Sequence, residues 1–198
     1  MKRRGLKPDV IACSAAISAC KKGEKWEAAL AILDTMATDL LEVDTVALGA
    51  AISACEKAGQ WQVACELLTH MSDSCTQVDI ITYNAALSAC ATSGHWAIAS
   101  ELFLRLVDAR LQADAITFGA LITACEKGAH WVGALEHLAS MVRDGVRADS
   151  VVFNAALSAC GKCERWEVGL MLLHQMEGAR LQADAITFGA AISACEKG

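Results

Sequence analysis

Ile17-Ser18-Ala19-Cys20, followed by Lys22 and then by Trp26, is the stretch on which the reading of this chain turns, because the chain repeats it throughout its length. Cysteine recurs at 20, 55, 90, 125, 160 and 195, tryptophan at 26, 61, 96, 131 and 166, and aspartate at 9, 44, 79, 114, 149 and 184, each step being 35 residues. A fixed period between about 20 and 50 residues marks a supersecondary unit that cannot bury its apolar face alone and stacks on its own copies.

Working outward from that stretch, residues 11–22 carry Ile11, Ala15, Ala16, Ile17, Ala19 and Cys20, apolar or small on more than one face, with no Gly or Pro among them. This predicts a buried helix that ends near Gly23. Trp26, Ala29, Leu30, Leu33 and Met36 follow at spacings of three or four and predict a second helix, and Trp61, Ala64, Leu68 and Met71 repeat it, as do Trp96, Ala99, Phe103 and Leu106. β-branched residues fall in pairs at helix starts rather than in alternating runs, so strands are not expected. The fold class is therefore all-α, a right-handed α-solenoid superhelix of stacked helix-turn-helix repeats. Residues 1–198 form a single array: the tail of a preceding unit at 1–9, full units at 10–44, 45–79, 80–114, 115–149 and 150–184, and a partial unit at 185–198. Alanines such as Ala15, Ala16, Ala19, Ala50, Ala51 and Ala54 leave little bulk between first helices and predict axes at the low end of the usual ~8–10 Å.

Composition limits what such an array does. Of 198 residues, 55% are hydrophobic, and 17 basic against 23 acidic residues leave a net charge of −6, which gives no long-range field for nucleic acid. A disulfide needs Cα atoms within about 7 Å, and units stacked a helix diameter of ~10 Å apart hold the cysteine column too far apart. The ten cysteines therefore read as buried thiols in a reducing compartment. No stretch approaches the ~18 consecutive apolar residues of a membrane span, and Met1-Lys2-Arg3-Arg4 is too short for a signal or transit peptide. The last unit stops at Gly198, after one helix and before its partner, as expected of a piece of a longer array that would end in a polar cap.

A longer period overlies the short one. Residues 109–128 and 179–198 agree at 18 of 20 positions, and Tyr83-Asn84-Ala85-Ala86-Leu87-Ser88-Ala89-Cys90 returns at 153–160 with Phe for Tyr. The fifth residue of successive units runs Ser14, Gly49, Asn84, Gly119, Asn154, Gly189, so polar and bare positions alternate.

The 35-residue unit, the openings "ITYNAALSAC" and "VVFNAALSAC", the turn glycines Gly59 and Gly94, the early alanines Ala29, Ala64, Ala99 and Ala134, the late methionines Met36, Met71, Met141 and Met176, and the closings "GLKPD" and "GVRAD" together resemble the pentatricopeptide repeat proteins of organelles, over the whole chain. The chain departs from that pattern in lacking Pro from every closing but the one at Pro8, and in its alternate Gly. The resemblance implies modular single-stranded RNA binding in a chloroplast or mitochondrion, one base per repeat read by two or three side chains. It also implies the roles. Ser14 with Asp44, Asn84 with Asp114, and Asn154 with Asp184 would read base edges. Ile11, Val46, Ile81, Ile116 and Val151 would flank the bases. Asn with Asp would favour uracil and Ser with Asp guanine, whereas the units of Gly49, Gly119 and Gly189 would select poorly.

The residues themselves leave other occupations open. Each Asp of the column stands just before a helix, where a carboxylate accepts from exposed backbone N–H groups. Lys22, Lys57, Lys127, Lys162 and Lys197 end the first helices, with Thr92 as the gap; they are phosphate candidates or compensation for the helix C-terminal dipole. Glu56, Glu126 and Glu196 precede three of them and dilute the positive row. The Trp column reads as core, so Trp61→Ala is expected to cost ~3–5 kcal/mol. Cys160-x-x-Cys163 has no second CxxC to complete a zinc site, and the five histidines show no ligand or catalytic spacing. No catalytic residue, metal, cofactor or small-molecule substrate is expected, so the chain reads as a binding protein rather than an enzyme. A helical-repeat scaffold for a protein partner is the second reading, favoured by the acidic charge and the alternate glycines.

Overall fold

The computed structural model of the chain describes residues 9–23, 25–41, 43–73 and 78–197. The Met1-Lys2-Arg3-Arg4 start, the closing Gly5-Leu6-Lys7-Pro8 and the Lys197 side chain lie outside the described residues. Among those described there are eleven helices and no strands. The first helices of the repeats are α1 (Val10–Lys22), α3 (Thr45–Lys57), α5 (Ile80–Ser93), α7 (Ala115–Lys127), α9 (Ser150–Lys162) and α11 (Ala185–Lys197). The second helices are α2 (Trp26–Thr38), α4 (Trp61–Asp73), α6 (Trp96–Asp108), α8 (Trp131–Arg143) and α10 (Trp166–Gly178). Helix starts thus recur every 35 residues, at Asp plus one and at Trp.

The helix ends explain this regularity. At the C-termini of the first helices, Gln60, His95, His130 and Arg165 each donate their N–H to the carbonyl of a column cysteine, Cys55, Cys90, Cys125 and Cys160, at 2.8–3.0 Å. Gly59, Gly94, Ala129 and Glu164 donate to the carbonyls of Glu56, Ala91, Glu126 and Gly161. This paired pattern is the Schellman motif, and it requires a left-handed residue just past the helix. That residue is Gly59 at φ 68° and Gly94 at φ 74°, where a missing Cβ removes the penalty, but Ala129 at φ 51° and Glu164 at φ 58° in the later repeats. Second helices end likewise: Leu41, Leu111, Val146 and Leu181 donate to Met36, Leu106, Met141 and Met176, around left-handed Leu40, Arg110, Gly145 and Arg180.

The chain divides into two compact units, Met1–Ala89 and Cys90–Gly198, each with its own packing. In the first, α1 packs on α2 and α3, α2 on α3, and α3 on α4. Its fully buried side chains include Ile17, Ala29, Met36, Ala51, Ile52, Cys55, Ala64, Met71 and Leu87, with Leu68 almost so. In the second, α7 packs on α6, α8 and α9, while α9 packs on α8, α10 and α11, enclosing Leu106, Phe118, Leu121, Ile122, Met141, Leu157, Cys160 and Met176. Each large apolar side chain so enclosed contributes about 1.5–3 kcal/mol. Small residues lie where first helices meet: a Cβ on Gly161 would lie 3.3 Å from the Ala190 carbonyl, and Ala50, Ala51 and Ala54 are buried.

Two expectations are corrected. Cys20, Cys65 and Cys163 are only half-buried and Cys195 is exposed, unlike Cys55, Cys90, Cys125 and Cys160. α1 packs on α3 along one side, and its Ala15 and Ala19 are exposed where their equivalents Ala50 and Ala54 are buried. The Trp column is not core either: Trp26, Trp61, Trp96 and Trp131 are half-buried and Trp166 is 38% exposed. Two of the indoles, Trp96 and Trp131, instead meet a side chain of the next repeat. Trp96 lies flat on the His130 ring with centroids 3.8 Å apart and an interplanar angle of 5°, and the Arg165 guanidinium sits 5.4 Å above Trp131. The enclosed positions of the second helices are Ala29, Ala64, Ala99, Ala134 and Gly169, one turn further on.

Candidate nucleic-acid interface

The Asp column caps the first helices. Asp9, Asp44, Asp79, Asp114, Asp149 and Asp184 each accept, through Oδ1, the backbone N–H of the third helical residue at 2.7–3.0 Å. Capping of this kind is worth about 0.5–2 kcal/mol per helix. Where the third residue is threonine, its hydroxyl joins in: Thr82, Thr117 and Thr187 Oγ lie 2.7, 2.9 and 2.8 Å from the same Oδ1. Thr117 and Thr187 Oγ also accept the N–H of Asp114 and Asp184, closing a capping box around each turn. These bonds to Thr187 hold the Asp184 carboxyl below the usual carboxylate range.

A carboxylate has acceptor sites beyond the one that capping uses, and Ser14 and Asn154 reach them. In the first unit, Ser14 Oγ lies 3.2 and 3.3 Å from the two oxygens of Asp44 and 2.9 Å from the Val10 carbonyl. Its single proton serves the nearer Val10 carbonyl best. In the second unit, Asn154 Nδ2 donates to Asp184 Oδ1 at 3.4 Å, and Thr187 Oγ donates to Asn154 Oδ1 at 2.7 Å. Asn84 is buried near the end of the first unit, and Asp114 caps α7 in the second. The bare fifth residues differ among themselves. A Cβ on Gly49 would meet Thr82 Oγ at 3.2 Å, whereas Gly119 and Gly189 face open space to 4 Å.

The second residue of each first helix is an exposed aliphatic: Ile11, Val46 and Ile81 in the first unit are 79%, 62% and 69% accessible, and Ile116, Val151 and Ile186 in the second are 62%, 70% and 69%. Single exposed aliphatics are ordinary. One at the same register of every repeat, three residues ahead of the fifth position on the same helix, is a row.

The lysine column has a second occupation. Lys127 Nζ donates to the Thr92 carbonyl at 3.1 Å. Lys162 Nζ donates to the Glu126 carbonyl at 3.1 Å and pairs with Glu126 Oε1 at 2.7 Å, which also accepts from Ser158 Oγ at 2.9 Å. Each lysine thus reaches back to the last turn of the preceding first helix, at the negative end of its dipole. Lys22 and Lys57 are exposed at the ends of their helices. Cys163 Sγ donates to the Ala129 carbonyl at 3.1 Å, so the CxxC ties two turns together. Among the described residues, no group of three or more His, Cys, Asp or Glu side chains is placed to hold a metal ion, and no helix is long and apolar enough to cross a membrane.

The family model described as pentatricopeptide repeat domain matches residues 1–57 and 66–128, and that described as PPR repeat matches residues 151–181. The chain belongs to the pentatricopeptide repeat family. None of the curated proteins matches it. Among solved structures, pentatricopeptide repeat protein PPR10 from maize aligns over 99% of this chain at 21% identity and a TM-score of 0.72, and PPR10 in complex with an 18-nt psaJ RNA element over 96% at 24% identity and 0.77. In both cases the match spans 28% of the PPR10 chain. The PPR domain of Arabidopsis thaliana protein-only RNase P 1, in complex with tRNA, aligns over 92% of this chain and 96% of its own at 12% identity and a TM-score of 0.78. At these identities the likeness is one of fold, a pentatricopeptide solenoid of helical hairpins.

Set out on the PPR repeat, the described side chains show two elements that the pattern of fifth and closing residues passes over. One is the third-residue threonine, Thr82, Thr117 or Thr187, which looks like an ordinary start to an apolar helix until its hydroxyl is seen on the cap. The sequence signal was an Asp followed three residues later by Thr, a variant of the capping box. The other is Ile186, the sixth member of the aliphatic row.

Proposed function

We propose that this PPR array binds single-stranded RNA, one base to a repeat, with Ser14 and Asp44, Asn84 and Asp114, and Asn154 and Asp184 reading base edges and Ile11, Val46, Ile81, Ile116 and Val151 against the base faces. One observation carries the reading: exposed aliphatics stand in register one helical turn from polar pairs such as Asn154 and Asp184. A splayed base needs such a combination, a flat dry contact beside directional donors and acceptors. The RNA bound by PPR10 and by the RNase P repeat domain supports the same role for this chain. Family membership points to an organellar transcript, in a chloroplast or mitochondrion, and to processing, stability or translation as the step affected. The array acts here as a binding module, without a reaction of its own. The phosphate contacts fall mainly to Lys22 and Lys57, because Lys127 and Lys162 already serve helix ends.

If the N-terminal repeat takes the 5′ base, the site reads G-n-U-n-U, with n free opposite Gly49 and Gly119. Fluorescence anisotropy of chain 1–198 with that RNA and with A-n-C-n-C at low salt tests this. Tighter binding of the first is the expected result. Equal binding would remove the base assignments, and no binding to either would leave a helical scaffold for a protein partner as the reading.

A further inference from the structure

Thr187 is used by no part of the reading above, yet it is fully buried and touches both members of a base-reading pair. Its Oγ lies 2.7 Å from Asn154 Oδ1 and 2.8 Å from Asp184 Oδ1, and accepts the Asp184 N–H at 3.1 Å. Asn154 Nδ2 meanwhile faces Asp184 Oδ1 at 3.4 Å. The single Thr187 proton has two acceptors, Asn154 Oδ1 at 2.7 Å and Asp184 Oδ1 at 2.8 Å; given to the nearer amide oxygen, it leaves the amide held at both ends by groups of opposite character, a hydroxyl donor at its oxygen and a carboxylate acceptor at its nitrogen. A 180° flip would set oxygen against carboxylate and leave the hydroxyl proton without Asn154 Oδ1. An asparagine amide is nearly symmetric in shape, so only its neighbours decide which end is which.

We infer that Thr187 is a positioning residue for base choice: it orients the Asn154 amide so that the pair distinguishes uracil from cytosine. The inference rests on the RNA-binding reading. The free valences of the held amide are one N–H and one oxygen lone pair, in a fixed spatial order. Uracil presents an O4 acceptor beside an N3–H donor, and cytosine presents an N4–H donor beside an N3 acceptor, the reverse order. The held amide matches one of the two, and the flipped amide would match the other. Purines are separated by size and do not test the point. Both asparagine repeats are followed by a threonine 33 residues on, Thr117 after Asn84 and Thr187 after Asn154; of the glycine repeats, Gly49 is followed at the same distance by Thr82 and Gly119 by Val152. Val152 also shows that valine fits this place, beneath a cap that Asp149 still makes to its N–H.

Chain 1–198 with Thr187→Val and with Thr187→Ser, each titrated with G-A-U-A-U and G-A-U-A-C RNA, tests the inference. Loss of one hydrogen bond of ordinary strength should lower the uracil-over-cytosine ratio at the last base roughly three- to tenfold in Thr187→Val. The ratio at the middle base, read by Asn84, should not move. Thr187→Ser keeps the hydroxyl and should retain the parental ratio. The inference is overturned if Thr187→Val keeps the parental ratio, or if Thr187→Ser loses as much. Nuclear Overhauser contacts of the Asn154 side-chain NH2 in the free protein provide a readout that needs no RNA. They should point to the Asp184 side in the parent and Thr187→Ser, and divide between two orientations in Thr187→Val. Should the parent bind no RNA, the binding reading falls, and an amide as fixed in Thr187→Val as in the parent would overturn the positioning role as well.

Discussion

Ala129 and Glu164 occupy the backbone position that Gly59 and Gly94 fill in earlier repeats, with φ of 51° and 58°. A left-handed conformation costs a residue with a Cβ about 1–2 kcal/mol, partly offset by the greater freedom glycine gives the unfolded chain, about 0.4–1 kcal/mol. Ala129→Gly should therefore stabilise the protein by a few tenths to about 1 kcal/mol. A thermal melt with unchanged or lowered midpoint would contradict it. The cysteine column gives a second test at this scale. Burial pushes the thiols of Cys55, Cys125 and Cys160 up to about 11, so almost no thiolate forms near neutrality. Iodoacetamide at pH 7.5 should modify Cys20, Cys65, Cys163 and Cys195 well before these three, as read by mass spectrometry. Labelling of Cys55 as fast as Cys195 would show that the first helices open far more readily than their packing implies.

Between elements, Gly128 comes close to the start of α6. A Cβ there would fall 2.4 Å from Trp96 Cδ1 and 2.7 Å from the Gly94 carbonyl, and neither the backbone nor an indole stacked on His130 yields cheaply. Gly128→Ala should cost about 1–3 kcal/mol, as overpacking does. Trp61→Ala should cost only about 2 kcal/mol, since its indole is half-buried. Denaturant melts read both. Glu56 links α3 to α5 through Ser88, and burial raises its carboxyl above the usual carboxylate range despite that hydrogen bond and the nearby Lys21 and Lys57. A carboxyl raised on folding favours the protonated folded state, so its contribution is present below its unfolded value and declines as pH rises through the folded one. The melting midpoint of the parent should fall relative to Glu56→Gln as pH goes from 4 to 7. A difference that stays constant would mean the carboxyl titrates alike folded and unfolded.

Across the whole molecule, a net charge of −6 sits uneasily with RNA binding, and the distribution of lysines has to answer for it. For single strands, the logarithm of affinity falls with that of salt by about 0.7 per phosphate neutralised. Two lysines free for phosphate give a slope of about −1.4, and four about −2.8. A titration from 20 to 200 mM salt should give the shallower value, and Lys162→Ala should leave the slope unchanged because Lys162 is paired with Glu126. A steeper slope that drops in Lys162→Ala would return that lysine to the phosphate row. The open space at Gly119 allows a repeat to be given a reading residue. Gly119→Asn should create a pyrimidine preference at the fourth base that does not separate uracil from cytosine, because Val152 stands where Thr187 serves Asn154. Gly49→Asn, with Thr82 in that place, should favour uracil at the second base.

By itself the sequence determined the period, the helix pairs and the family, because these are local matters repeated many times. An Asp before every first helix and apolar residues three or four apart need no knowledge of what lies across the chain. The Asp column illustrates the limit of that information. Its capping role was legible one turn away, but the further bonds of Asp44 to Ser14 and of Asp184 to Asn154 span 30 residues and exist only because neighbouring first helices stack. The Trp column was misjudged for a related reason. Hydrophobic period identifies which face a residue occupies, not how deeply a neighbour covers it, and two of the indoles at the helix starts, Trp96 and Trp131, lie on His130 and under Arg165. Tertiary structure alone decided that Lys127 and Lys162 reach helix ends, that Cys20 is half-buried where Cys55 is not, and that Thr187 holds an amide on the next helix back. Each depends on which copy stands beside which, and identical copies written in sequence acquire different surroundings once they are stacked.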